Sequence, residues 1–565
     1  MSEPISLSFV RDPAASVVPV GEATSSVTYR SAGACLVIGE LQAALATVAS
    51  LPSLSCSVFV PTPGARHIDK RLLETGVAVF GGDALRLDGH LGDFTAIAGP
   101  SDAELDLAVA TWRESGRFDL VVDLVPEPAF AQRLPPLGYV HLPPGTEPAA
   151  QQAALDSLDE LVGEFDKPRY FQYRPDICAH SRSSLSGCSR CLDVCSAGAI
   201  ESAGEGVVVD PYLCQGCGTC ATACPTGAMR YAYPTLPEAV QRTRQLAVGP
   251  PIDTLLLHVE ADQADIQALV LPDSVLDLLV EEVTAFGLDY WLTLLAGGIA
   301  RILLVGDAPA EDPGRQTLEG QFTLLHRLLA GLDVAVASLP VTRCVALAEL
   351  AGVLTEPAPE ALVARPGAAF AVQDDKRGTI RAALDALAER HPPGAAVTAL
   401  PADAPFGRIR VDTDACTLCM ACVSTCPAGA LLDGQDTPAL RMIEANCVQC
   451  GLCEQACPEQ AITRDARYVW DSVEARRTVT LHEEEPFHCL RCHKAFATRG
   501  LIDTMTAKLA DHWMFRDPIA MNRLRLCEDC RVKDLFENEP NGPDVHRGAT
   551  SRSGEKPGEK PGEKR

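Results

Sequence analysis

Twenty-three cysteines in 565 residues, most of them in short runs of fixed spacing, constrain this chain more than any other feature. From Cys416 it reads CTLCMACVSTCP, a C-x2-C-x2-C-x3-C-P run through Cys419, Cys422, Cys426 and Pro427. From Cys447, CVQCGLCEQACP repeats that frame through Cys450, Cys453, Cys457 and Pro458, with twenty residues between the two runs. CQGCGTCATACP is a third complete run, holding Cys214, Cys217, Cys220, Cys224 and Pro225. Upstream of it, GCSRCLDVCS supplies Cys188, Cys191 and Cys195, but Leu185 stands at the expected first position and Ser196 at that of the proline. Cys178, ten positions before Cys188, is the nearby spare thiol. Disulfide scaffolds of this kind belong to short secreted chains, whereas in a long chain such spacing points to metal ligation.

The paired runs resemble bacterial-type two-[4Fe–4S] ferredoxins, in which the fourth cysteine of each run ligates the other cluster. The resemblance implies one cluster on Cys416, Cys419, Cys422 and Cys457, and a second on Cys447, Cys450, Cys453 and Cys426. The earlier pair departs from that pattern, and if an inserted loop delivers the spare Cys178 as the missing ligand, one cluster falls on Cys214, Cys217, Cys220 and Cys195 and the other on Cys178, Cys188, Cys191 and Cys224. A three-cysteine site holding a labile or three-iron cluster is the competing reading. A C-x2-C-x2-C loop coils round a cubane so that successive backbone N–H groups point at its sulfurs. Ala421 and Gly451 are expected to give the backbone room, and Pro427 and Pro458 to turn the chain away.

Near the end, Cys489 with Cys492 and Cys527 with Cys530 form two C-x2-C pairs separated by thirty-four residues. Four thiolates in two knuckles suit a tetrahedral structural Zn2+, which would hold together a segment too small for a large core. A single rubredoxin-like iron, a c-type haem on CLRCH (Cys489–His493) and plain buried thiols are the alternatives. The remaining Cys35, Cys56 and Cys344 sit in or beside apolar runs and read as small core residues.

Hydrophobic residues make up 47% of the chain and charged residues 22%, enough for several cores, and the length implies about three to five domains. The expected fold is multidomain α/β plus α+β. Two α/β units with parallel sheets, 30–147 and 250–395, are expected to alternate with ferredoxin-like modules at 165–235 and 405–466, and a zinc module to occupy 480–540. Residues 1–29 and HLPPGTEPAA (141–150) read as a flexible end and a linker, and 541–565, with its GEKP repeats, as a disordered tail. In the first α/β unit ACLVIG, CSVFV and FDLVVDL are strands and LQAALATVAS a helix; in the second TLLLHV, RILLVG and DVAVAS are strands, with WLTLLAGG and TLLHRLLAG helices between them. The alternating order suggests tandem duplication. Neither unit has a G-x-G-x-x-G or P-loop motif, so Gly39 and Gly306 read as plain turns, and a flavin is unsupported by any motif.

A formal charge of −27 disfavours nucleic acid and anionic membrane, and favours partners with basic docking patches. No stretch reaches the ~20 apolar residues of a membrane span. Met1–Arg11 lacks secretory and twin-arginine patterns, so the expected compartment is the cytoplasm. The leading expectation is an electron relay similar to polyferredoxins, without an active site of its own. EEPFHCLRCHKAF and LCEDCRV are also similar to parts of iron–sulfur proteins associated with formate dehydrogenase systems. An oxidoreductase subunit with its own active site, with flavin as its candidate cofactor, and a redox-sensing or assembly factor are the alternatives. Donor, acceptor, cluster potentials and oligomeric state are not legible in the sequence.

Overall fold

The structure, a computed structural model, describes residues 25–65, 69–99, 104–111, 116–247, 252–334, 341–364, 370–372, 375–435 and 437–538. The 541–565 tail and residues 1–24 of the N-terminal segment lie outside the described residues. The chain divides into two compact units, Met1–Pro401 and Ala402–Arg565.

The first sheet of unit one runs, in spatial order, Tyr139–His141, Leu120–Asp123, Ala34–Ile38, Ser55–Pro61, Ala78–Gly82 and Asp69–Leu72. All neighbours are parallel except the last pair. Ala34–Ile38 is buried along its whole length, which is why it reads as an unbroken apolar run instead of an alternating one. Asp123, at the end of its strand, is wholly buried and accepts hydrogen bonds from the Val125 and Ala129 amides (3.2 and 3.0 Å) and from the Tyr139 hydroxyl (2.6 Å). Asp123→Ala orphans all three donors and should cost about 3 kcal/mol, measurable as an earlier urea transition. Gly39 ends Ala34–Ile38 because a Cβ there would lie 2.9 Å from Leu124: close packing, not a phosphate, accounts for it.

Three features depart from the sequence expectation. An antiparallel sheet of Leu85–Asp88, Thr95–Ala98 and Leu105–Asp106 stands where helices of a regular α/β unit would lie. Ser26–Ser31 is not a flexible end but a strand paired antiparallel with Gly163–Pro168, because Val27, Tyr29 and Ser31 alternate inward. The expected linker runs into a helix, Pro148–Asp159, with proline in its first turn and Leu155 and Leu158 buried.

The second sheet has the order Val275–Leu279, Thr254–His258, Arg301–Val305 and Val341–Val345, all parallel. Here the fourth strand is VTRCV, and most of the expected DVAVAS strand lies outside the described residues. Helix Leu288–Ala296 is buried at Leu288 and at every position from Tyr290 to Ala296, with Trp291 stacked on Phe322 of helix Pro313–Leu329. The two sheets differ in strand order: the opening strand Ala34–Ile38 lies beside the second and a later strand, Leu120–Asp123, whereas Thr254–His258 lies beside the second and the third. They are therefore not copies of one topology.

Between these sheets lies a small module whose core is Phe171, Ile200, Val207, Val209, Ala228 and Met229, packed on Cys224 and on five further cysteine side chains. Short ribbons, Phe171–Tyr173 with Met229–Tyr231 and Ile200–Ser202 with Val207–Val209, frame two short helices, Arg190–Asp193 and Thr219–Ala223. In unit two, Gly407–Val411 pairs with Ile462–Val469, and Leu431–Asp433 with Ala439–Ile443, around a core of Ile409, Leu418, Leu431, Leu440, Met442 and Ile462. A hairpin, Pro486–His488 with Ala495–Thr498, and helices Arg499–Leu509, Pro518–Arg523 and Glu528–Asn538 complete unit two.

Candidate metal centres

The three complete cysteine runs share one backbone device. The third and fifth positions of each loop are left-handed: Gly216 and Gly218, Leu418 and Met420, Gln449 and Gly451. That geometry curls the chain so that the amides of Gly216 and Thr219 donate to the Cys214 and Cys217 sulfurs, and that of Leu418 to Cys416. Ala421, expected to make room, begins a short helix instead, and the strained position is Met420 (φ 59°). Holding Leu418 and Met420 there costs roughly 1–2 kcal/mol each, which the surrounding core must offset.

The fourth cysteine of every run also accepts an N–H. Ala199 donates to Cys195 (3.2 Å), Met229 to Cys224 (3.4 Å), Ala430 to Cys426 (3.3 Å) and Ala461 to Cys457 (3.3 Å). The replacement of proline by Ser196 leaves this contact intact. The Gln449 side-chain amide adds a bond to Cys447 at 3.2 Å, a contact that spacing alone does not reveal.

The thiols fall into crossed sets. Burial pushes Cys422 up to about 12, reinforced by Cys416, Cys419 and Cys457, and raises Cys453 further, reinforced by Cys447, Cys450 and Cys426. A cavity of about 30 Å3 lies among Cys426, Cys447, Cys450 and Cys453, with Ile409 and Met442 in its wall. In unit one, burial raises Cys220, reinforced by Cys217, Cys214 and Cys195. Cys191 is pushed up to about 12 by burial, then by Cys224, Cys188 and Cys178. Binding a metal among crowded thiols displaces their protons. Within each module the sets adjoin, since Cys191 acts on Cys220 and Cys422 on Cys453.

Cys178 reaches its place by a hairpin. Ser181–Arg182 pairs with Leu185–Ser186 across a turn at Ser183 and Ser184, both left-handed, and the ladder continues through Gly187 N to His180 O and Cys188 N to Ala179 O. The ten-residue interval thus doubles back on itself and sets Cys178 beside Cys188. The Tyr173 hydroxyl bonds Cys178 and accepts from the Val207 amide at 3.1 Å. His180, buried, bridges the Cys188 carbonyl (2.9 Å) and the Ser202 hydroxyl (2.8 Å).

Segments of unit one on either side of this module in the chain hold it. Gly218 is needed because a Cβ there would sit 2.5 Å from Ala285, and Thr284 donates to the Cys217 carbonyl at 2.5 Å. On the other side His90 stacks on Tyr212 (4.4 Å), and Lys167 donates to the Cys214 carbonyl (2.7 Å), the Tyr212 carbonyl (3.1 Å) and the Tyr29 hydroxyl. Burial lowers Lys167 to about 8, against the pull of Cys214 and Asp210.

In unit two, the sulfurs of Cys489, Cys492, Cys527 and Cys530 all lie within 4.8 Å of one another, a group able to hold a metal ion. Cys492 and Cys527 are 3.5 Å apart, and three of the four residues are buried. Burial and the neighbouring thiols push Cys530 up to about 12. Burial acts on Cys489 too, but N–H groups of Cys492, Cys527 and Arg491 prevail and hold it down at about 6, so a thiolate is prepared among thiols. Cys35 and Cys56 face each other on adjacent parallel strands, and Cys344 lies on Val341–Val345, all away from these centres.

Residues 186–228 and 415–462 each match a 4Fe–4S dicluster domain family. The first match begins after Cys178. Over 55 residues the chain is 40% identical to Ferredoxin-1 of Caulobacter vibrioides, a stretch covering 9% of this chain and 47% of that protein. The chain therefore spans about half the length of this curated relative. Two ferredoxin-like 4Fe–4S domains are thus present within a larger chain of mixed α/β content, and among the described residues no helix is long and apolar enough to cross a membrane.

Proposed function

We propose that this chain is a soluble cytoplasmic electron carrier of the polyferredoxin kind, relaying electrons one at a time between a donor and an acceptor redox enzyme. The observation that carries the reading is the crossing of cysteine runs into four thiol sets, adjoining in pairs within each module. On this reading Cys178, Cys188, Cys191 and Cys224 hold one [4Fe–4S] cluster and Cys195, Cys214, Cys217 and Cys220 the next. Cys416, Cys419, Cys422 and Cys457 hold the third, and Cys426, Cys447, Cys450 and Cys453 the fourth. The clusters supply one-electron chemistry; the chain supplies thiolates, amide donors and a dry apolar wall. Cys489, Cys492, Cys527 and Cys530 hold a structural zinc. The likeness of the C-terminal segments to proteins of formate dehydrogenase systems ranks those enzymes first among partners to test.

Anaerobically purified protein should contain about sixteen irons, sixteen acid-labile sulfides and one zinc per chain. About eight irons would refute the reading of the first module. Reduction of the clusters by an added formate dehydrogenase with formate would support the partner; reduction only by other enzymes would remove it.

A second reading, an oxidoreductase subunit with its own substrate site, draws on a cavity of about 310 Å3 between the first module and the second sheet, lined among others by Tyr231, Phe286, Asp289, Tyr290 and Lys376. It predicts a yellow cofactor released on denaturation, and a colourless supernatant would reject its flavin form.

A further inference from the structure

We propose that Lys167 and Lys376 are positioning residues that set the reduction potential of the cluster held by Cys195, Cys214, Cys217 and Cys220, making it easier to reduce than its ligands alone would. The inference rests on the ligand reading above. Lys167, at the end of the strand Gly163–Pro168, places its ammonium against the carbonyls of Tyr212 and Cys214, with the Tyr29 ring 4.8 Å beneath it. Lys376, from the opposite wall, opens helix Lys376–Ala388 and donates to the carbonyls of Ala221 and Thr222, both at 2.8 Å. Those carbonyls directly follow Cys220. Two cations thus reach one cluster loop from two different elements, a strand and a helix, through contacts 47 and 155 residues apart in the chain.

Among the described residues neither lysine touches a carboxylate. Asp210, which faces Lys167, spends its carboxylate on the amides of Tyr212 and Leu213 (2.8 and 3.2 Å). Glu282 is the acid acting on Cys217, and burial and Glu281 raise its pKa. The second module is built differently. There Arg464 pairs with Glu454 (2.7 Å), Arg467 with Glu444 (2.6 Å), and Arg408 and Arg410 with Asp465 (3.0 Å each). Paired charges largely cancel at a distance, whereas a half-buried ammonium that no carboxylate touches does not. Reduction adds one electron to the cluster from an external donor, and a nearby positive charge favours that added negative charge.

The full chain, purified anaerobically, would be titrated at pH 7 with dithionite and mediator dyes under electron paramagnetic resonance detection, with iron counted on every variant. Lys167→Met and Lys376→Met are each expected to lower the midpoint of the same cluster by a tenfold shift in its reduction equilibrium, 59 mV for one electron. Lys167→Arg keeps the charge and should restore most of the shift. Unchanged midpoints in both methionine variants at full iron content overturn the proposal, as does a shift that Lys167→Arg reproduces in full. Should Lys167→Met lose iron, Lys376→Met on the other wall decides by the same measurement. About eight irons in the unaltered chain would instead defeat the ligand reading, so the two failures are distinguishable.

Discussion

Replacing Cys178 with serine is expected to lower the iron content from about sixteen to about twelve per chain, the loss of one whole cluster. Cys178 acts on Cys191 together with Cys224 and Cys188. A serine oxygen is a harder, less acidic ligand than a thiolate, and the hairpin from Ser181 to Ser186 leaves no second thiol to move in. The matching loss from Cys188→Ser would identify both as members of one set. If the three remaining thiolates retain a three-iron cluster, the count falls only to about fifteen, with the spectrum of an oxidised three-iron centre. Unchanged iron and unchanged spectra would remove Cys178 from the ligand set. Tyr173→Phe, which deletes the hydroxyl bonded to Cys178, should shift that cluster's spectrum or potential while keeping its iron.

The second large effect is expected at the far end of the chain. Cys527→Ser, or a strong chelator, should remove one zinc per chain and expose 486–530 to protease, while the iron of both dicluster modules is retained. The core around the four thiols consists of Leu526 with Phe496 packed against it, far too little apolar surface to hold a hairpin and three helices. Structural zinc in comparable peptides supplies about 10–16 kcal/mol of apparent binding free energy, which here would be folding free energy. The N–H groups that lower the Cys489 thiol have the sign such a site requires, because they favour the thiolate that a metal binds. Zinc loss without any gain in protease sensitivity would refute the structural role. Iron in place of zinc, with the absorption of a four-thiolate ferric site, would favour the rubredoxin-like alternative.

How much of this was legible in the sequence follows the range of the interactions involved. A C-x2-C-x2-C run is a local instruction, because the same few residues must both coil the loop and supply the sulfurs, so three runs can be read without any tertiary knowledge. The two C-terminal pairs are also legible as a motif, although only the hairpin and the helix after Cys527 bring all four sulfurs within 4.8 Å. The apolar runs Ala34–Ile38, Thr254–His258 and Arg301–Val305 can be recognised as buried strands because every position faces a core. Other elements carry no such mark. VTRCV reads as an unremarkable polar stretch, yet it pairs along the full length of Arg301–Val305. Pro148–Asp159 hides behind a proline-rich approach that serves as its first turn.

Cys178 marks the boundary between the two kinds of knowledge. The cysteine runs determined by themselves that this chain carries two ferredoxin-like 4Fe–4S domains, because cluster ligation is written at spacings of three or four residues. Tertiary structure alone decided that a serine-turned hairpin lays Cys178 beside Cys188, that Tyr173 bonds it, and that Lys167 and Lys376 meet the loop from Cys214 to Thr222. Those contacts depend on which distant backbone a fold brings alongside. A hydrogen bond across 47 or 155 residues leaves no periodic trace in the chain that makes it.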